Sequence, residues 1–223
     1  MRATPTRTTA ARRPRASSIE RRDQILREAA RCFGTRGFRG TTTRDVANAV
    51  GITEAALYRY FSGKEAMYAA ILDARMAVPE VIAAVEPFAR ARDDSRVFTQ
   101  LAMAVLQSVE SDPSFLRLLL YSALEGHEMA RPFYETRMRR LREFLTRYIA
   151  QREREGEFRG VEPVTAARAF IGMVADHLIA RTVFGQRDPQ PQSVERVAET
   201  FTSIFLDGMR APEKRKRKGV TRG

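Results

Sequence analysis

The chain has 223 residues, 43% hydrophobic and 30% charged, with a net charge of +12. That composition supports a sizeable buried core in one or two domains, and no run approaches the ~20 apolar residues that a membrane helix needs. The N-terminus is basic but has no apolar segment behind it, so it does not read as a secretory signal. The single cysteine, Cys32, has no partner for an intrachain disulfide and reads as a buried structural thiol. The cations concentrate at the two ends: seven arginines against Glu20 up to Arg22, and six Lys and Arg against Glu213 from that residue on. Between the ends the chain is close to neutral. These features together point to a cytoplasmic protein.

Residues 1–17 are rich in Thr, Ala, Arg, Pro and Ser with no apolar period, which predicts a disordered basic arm. A first helix is expected near Ile19 to Thr35, where Ile25, Leu26, Ala29, Ala30 and Phe33 share one face. Gly34, Gly37 and Gly40 mark its end. The stretch TTTRDVANAVGITEAALYRYFSGKE, from Thr41 to Glu65, then reads as two short helices around a glycine. Thr42 and Asp45 have capping-box spacing. Val46, Ala49 and Val50 fall on the inward side of the first helix. Gly51 supplies the backbone freedom for a sharp stop, and Thr53 caps the second helix. There Leu57 and Phe61 share an inward face, while Glu54, Tyr58, Arg59 and Tyr60 look outward. A helix–glycine–helix whose second member displays hydroxyls and a cation is the layout of a DNA-reading helix-turn-helix.

Ser62 can cap a fourth helix from about Gly63, with Met67, Ile71, Leu72 and Val78 recurring at helical spacing and Pro79 bending or ending it. Five further helical segments follow: Arg96–Glu110, Pro113–Leu124, Pro132–Glu155, Pro163–Phe184 and Ser193–Met209. Three of them begin with Pro in or beside the first turn. No alternating Val/Ile/Thr run suggests a strand. The expectation is an all-α fold of about nine helices without internal repeats. It divides into the basic arm 1–17, a helix-turn-helix DNA-binding domain 18–65, a helical regulatory and dimerisation domain 66–211, and a basic tail 212–223.

From about Arg22 to Leu72 the chain resembles the DNA-binding domain of the tetracycline-repressor (TetR) family of bacterial regulators. The resemblance rests on Phe33, Gly37, Phe38, Thr42-Thr43, Val46-Ala47, Gly51-Ile52-Thr53, Leu57-Tyr58, Tyr60, Phe61 and Lys64-Glu65. Val46 stands where the family usually has Ile, and Ala55 where it often has Gly. The resemblance implies that Thr43, Tyr58, Tyr60 and Lys64 contact phosphates. It places Thr53, Glu54 and Arg59 where base-edge or further phosphate contacts fall; phosphate contacts fix position, and groove contacts carry sequence information. A free basic arm can also enter the neighbouring minor groove, or serve only as a solubilising tail.

The family also implies a homodimer and an unidentified small-molecule effector. One stripe runs through Ala166, Phe170, Met173, His177 and Phe184. A second runs through Val194, Val197, Phe201, Ile204, Phe205 and Met209. Family members pair such helices with their copies in a four-helix bundle; the interface expected here includes Phe170, Phe184, Val197, Phe201, Ile204 and Phe205. Two reading helices at fixed separation read a palindrome with half-sites one turn (~34 Å) apart or a little more. Candidate pocket residues are Phe98, Met103, Leu119, Tyr121, Phe133, Tyr134, Met138, Met173 and His177, since Met and aromatic side chains suit an adaptable apolar cavity. The same stripes fit ordinary core packing.

No cofactor, metal site or membrane partner is expected. The only histidines are His127 and His177. Glu125, His127 and Glu128 straddle Gly126 without the i, i+4 spacing of helical metal ligands. There is no phosphate loop, dinucleotide fingerprint or nucleophile elbow. The sequence therefore predicts a DNA-binding regulator, in form a ligand-responsive homodimeric repressor acting on double-stranded DNA at the nucleoid. A low-specificity DNA architectural or occupancy protein driven by the basic arms is the alternative, and a helical enzyme finds no catalytic constellation.

Overall fold

The computed structural model describes residues 17–75, 78–126, 135, 138–187 and 189–211. Ten helices follow one another among them. They are α1 Ser18–Arg36, α2 Thr43–Val50, α3 Glu54–Tyr58, α4 Lys64–Arg75 and α5 Val78–Arg90, then α6 Asp94–Ser111, α7 Ser114–Leu124, α8 Arg139–Arg154, α9 Pro163–Thr182 and α10 Val194–Met209. The only β pairing among the described residues is an isolated bridge between Phe158 and Arg210, so the fold is all-α as expected. The two basic ends, residues 1–16 and 212–223, lie outside the described residues, as do His127, Glu128, Phe133 and Tyr134.

Caps set most of the boundaries. Ser17 and Glu20 form a reciprocal capping box on α1, and Ser193 caps α10 through the Arg196 amide. Pro163 opens α9 at a position whose N–H would have no helical acceptor anyway, and the Glu162 carboxylate takes the next two amides. Helix α5 has no counterpart among the helices expected from the sequence. Pro79 lies in its first turn, beyond the end of α4 at Arg75, and Pro87 is accommodated inside it because Val78, Val85 and Ala89 are buried on one side. A proline in mid-helix costs about 3 kcal/mol, which burial of that face must offset.

Two apolar cores form. The first takes Ile25, Ala29 and Phe33 from α1, Val46 and Val50 from α2, Leu57 from α3, and Met67, Tyr68 and Ile71 from α4. It also takes Phe115 and Leu118 from α7, which packs along α1. Cys32 is buried there, as the sequence suggests. The second core gathers α5, α6, α8, α9 and α10. Its centre is an aromatic triad: Phe98, Phe170 and Phe205 lie with ring centroids 4.8, 4.9 and 5.2 Å apart.

A polar network pins α8 to the start of α6. The Arg152 guanidinium, 8% exposed, donates to both carboxylate oxygens of Asp94 at 2.8 and 3.0 Å and to Glu155 at 2.5 Å. The Tyr148 hydroxyl donates to Asp94 at 2.6 Å, and Arg92 pairs with Glu155 at 2.6 Å. The Asp94 hydrogen bond holds the Arg152 guanidinium above its ordinary pKa in spite of burial, while burial and the Asp94 contact raise the Tyr148 phenol. Arg152 holds the Glu155 carboxyl below its ordinary value of 4.5.

Removing one member of such a pair strands the other, so Asp94→Ala is expected to cost about 3 kcal/mol in urea unfolding. Replacing Asp94 and Arg152 together by Leu and Met should restore most of it. The carboxyls of Asp45, Glu155 and Glu162 are all held low in the fold. A lowered acid contributes stability that is present above its unfolded pKa and lost as pH falls through its native one. The unfolding midpoint should therefore drop on acidification below pH 4.5, and Glu155→Gln should flatten that dependence.

Candidate nucleic-acid interface

The reading unit is built by local chemistry. The Thr42 hydroxyl accepts from the Asp45 amide at 3.1 Å, and the Asp45 carboxylate accepts from the Thr42 amide at 2.8 Å, completing the box at the start of α2. Those Thr42 contacts, hydroxyl first, hold the Asp45 carboxyl below its ordinary range. At the far end Gly51 is left-handed, with φ 75° and ψ 37°. The Ile52 amide reaches back to the Ala47 carbonyl at 3.0 Å, which closes the turn. Thr53 caps α3 through the Ala56 amide at 3.1 Å. Leu57 and Phe61 turn inward as expected, whereas on α2 the buried trio is Val46, Ala47 and Val50. Ala49, expected inward, is exposed, because α2 rests on α1 by the side carrying Val46 and Val50.

The outward face carries most of the residues proposed for DNA. Tyr58 is 50% exposed, and Arg59 is exposed without a partner among the described residues. Thr43 donates to the Glu54 carboxylate, and its hydroxyl lies 3.4 Å from that of Tyr58. Arg44 approaches Glu54 at 3.7 Å. Thr43, Glu54 and Tyr58 therefore converge across the helix–turn–helix, with Thr53 exposed at the α3 cap. Tyr60 is half-buried against the first core instead of pointing fully outward. Lys64 turns inward to the backbone. Its ammonium donates to the carbonyls of Phe38 at 3.1 Å and Thr41 at 3.4 Å, over the Phe38 ring. The sequence signal places Lys64 on the DNA-facing side but cannot disclose carbonyls 23 and 26 residues away.

Another residue, to which the sequence pattern assigns no role on this face, supports the same turn. The Glu125 carboxylate at the end of α7 accepts from the amides of Phe38 and Arg39 at 3.1 and 3.3 Å. In the sequence Glu125 stands out only beside His127 and Glu128, as a poor metal cluster. Among the described residues no group of three or more His, Cys, Asp or Glu could hold a metal ion.

The expected pocket residues are scattered. Phe98 is fully buried in the aromatic triad. Met103, Met138 and Met173 pack against the second core, Leu119 against the first, and Tyr121 is 39% exposed on α7. His177 stacks edge-on against Phe201 at 5.6 Å. Two shallow depressions among the described residues have charged linings instead: one between Ile82, Glu86 and Arg140, another between Arg142, Arg147 and Arg168.

The expected dimer stripes split in two. Phe170, Val197 and Phe205, expected at a subunit interface, are buried within this chain's own core, where the triad with Phe98 takes up Phe170 and Phe205. Phe184 and Ile204 stay 74% and 61% exposed, and Phe201 is half-buried. Helical periodicity alone cannot tell these faces apart, because α9 is apolar nearly all round and the apolar face of α10 is broad enough to hold both buried Phe205 and exposed Ile204.

Residues 25–71 match the family model for bacterial regulatory proteins of the tetR family, and residues 96–209 that for the C-terminal domain of AefR-like transcriptional repressors. The HTH-type transcriptional repressor KstR2 of Rhodococcus jostii is 31% identical over 196 residues, 86% of this chain and 92% of that protein. The nucleoid occlusion factor SlmA of Marinobacter nauticus is 32% identical over 171 residues, 73% of this chain and 84% of that one. The crystal structure of AibR in complex with isovaleryl coenzyme A and operator DNA shares the fold, with a TM-score of 0.63 at 23% identity over 84% of this chain and 98% of that one. The chain belongs to the TetR family of bacterial transcriptional regulators. It is a DNA-binding regulator, and its family is one of regulators, not enzymes. No helix among the described residues is long and apolar enough to cross a membrane.

A Cβ at Gly51 would meet nothing within 4 Å, so substitution there is a purely conformational test. Gly51→Ala should lose about 1–2 kcal/mol for its left-handed backbone, and Gly51→Asn less. Urea unfolding of both variants checks this order.

Proposed function

We propose that this protein is a homodimeric, ligand-responsive transcriptional repressor that binds a palindromic operator. The observation that carries the reading is the convergence of Thr43, Glu54 and Tyr58, beside exposed Arg59, on the outer side of a capped and glycine-hinged helix pair. In this reading α3 enters the major groove. Thr43, Tyr58 and Tyr60 hold phosphates, Thr53, Glu54 and Arg59 reach base edges or further phosphates, and Lys64 supports the turn that feeds α2. Residues 18–65 form the reading unit and 66–211 the regulatory body, with α4 as the joint.

Exposed Phe184, just after α9, and exposed Ile204 on α10, with half-buried Phe201 against His177, support a two-fold contact with a second copy. An effector would act by binding the non-DNA conformation more tightly, since only differential affinity shifts such an equilibrium. KstR2, a repressor, and AibR, whose structure holds both isovaleryl coenzyme A and operator DNA, support a repressor that answers to a small molecule. Among the described residues, the charged depressions along α8 are one place where such a molecule could sit with the triad closed.

A second reading draws on the likeness to SlmA and on the two basic ends: a DNA occupancy protein of low sequence specificity. One experiment separates the two. An operator is selected from a random duplex pool, and affinity for it is titrated against salt for the full chain, for a chain lacking residues 1–16 and 212–223, and for Arg59→Ala. The repressor reading predicts a recovered palindrome, kept by the truncated chain. It also predicts weaker binding by Arg59→Ala, with the salt slope reduced by about 1 if that residue grips phosphate. Loss of all DNA binding on truncation favours the occupancy reading.

A further inference from the structure

Glu125 completes α7 with its backbone, whose amide donates to the Tyr121 carbonyl at 2.8 Å. Its side chain serves a different part of the molecule. The carboxylate accepts from the amides of Phe38 and Arg39, 87 and 86 positions earlier, in the turn that leads from α1 into α2. Two other observations converge on that turn, and a third on the α1–α7 contact beside it. Gly37 has φ 73°, and a Cβ there would run into the Glu125 carboxylate, so the approach is open only to glycine. Lys64 holds the same turn from the opposite charge, on the Phe38 and Thr41 carbonyls. A Cβ at Gly34 would lie 2.7 Å from the Ser114 carbonyl, so α1 and α7 touch almost backbone to backbone.

We propose that Glu125 is a positioning residue for DNA reading: it fixes the angle at which the reading unit leaves the helical body, and with it the half-site spacing that the protein accepts. The inference rests on the two-headed reading proposed above. Phe115 and Leu118 join α7 to the first core, but apolar contacts are not directional and tolerate small slides. A carboxylate on two backbone amides is directional and charge-assisted. The turn it holds ends at Thr42, the cap of α2; the next residue, Thr43, donates to Glu54 of α3. Each polar step from α7 to the reading helix is thus one or two hydrogen bonds or a cap. Freed from Glu125, the unit keeps its own core and its DNA-facing groups but loses its fixed bearing.

The test uses the full-length protein and a selected operator, with derivatives one base pair shorter and longer between half-sites and an unrelated duplex at low salt. Glu125→Ala should bind the selected spacing roughly tenfold more weakly, as expected when only about a tenth of the freed units sit at the productive bearing. Its penalty for altered spacing should shrink, its affinity for unrelated duplex should hold, and the Phe38 and Arg39 amides should exchange hydrogen faster. Glu125→Gln, which keeps one acceptor oxygen and the shape, should fall between. An equal loss on every duplex, or a spacing preference identical to wild type, overturns the inference. Wild-type protein that binds its operator with no preference for spacing overturns the two-headed reading and this inference together.

Discussion

The turn from Gly37 to Thr41 is held by two opposite charges that reach it from different helices. The Glu125 carboxylate takes its amides and the Lys64 ammonium takes its carbonyls. A turn of this kind has backbone groups that neither α1 nor α2 can satisfy, and leaving them unpaired where they are partly buried would cost about 1–3 kcal/mol each. The side-chain charges supply those partners and add direction. The buried Thr41 hydroxyl completes the arrangement by donating to the Cys32 and Gly37 carbonyls. Everything that faces outward depends on this turn, because Thr42 can cap α2 only if the chain arrives at the right angle, and α3 follows α2 across only three residues, Gly51 to Thr53.

Much of the reading unit is legible in the sequence because its chemistry is local. The Thr42–Asp45 box, the Gly51 stop, the Thr53 cap and the inward pair Leu57 and Phe61 all act within four residues, which is the range that a sequence pattern reports. What is not legible acts at long range. The contacts of Lys64 and Glu125 become visible only when the turn at Phe38 is placed beside them in space. The Asp94–Arg152 pair spans 58 positions and leaves no mark in the local pattern. Helix α5 is hidden by its two prolines, since Pro79 and Pro87 are breakers by propensity, and only the burial of Val78 and Val85 explains their tolerance. The stripes of α9 and α10 are apolar as the sequence indicates, but packing around Phe98 decides which residues face the subunit's own core.

The second core gives the reading unit something stiff to be positioned against. Its centre is filled by three aromatic rings, and its edge is clamped by Arg152 between Asp94 and Glu155. Interiors packed in this way respond to a disturbance by moving whole elements and not by yielding locally. In the proposed mechanism that stiffness is useful: an effector that displaces α7 relative to α1 would act on the bearing of the whole reading unit while the unit stays intact. Regulation would then rest on one polar contact between two rigid parts, with the apolar contacts of Phe115 and Leu118 keeping the parts together in either state.

If two copies of the Thr43–Glu54–Tyr58 face meet DNA at a separation set by the rest of the fold, hydroxyl-radical footprinting of the full-length protein on its selected operator must show it. Two protected patches should lie on one face of the duplex, centred about one helical turn (~10 base pairs) apart or a little more. An unbroken protected tract that lengthens with protein concentration, or a cleavage pattern identical to free DNA, would rule that geometry out.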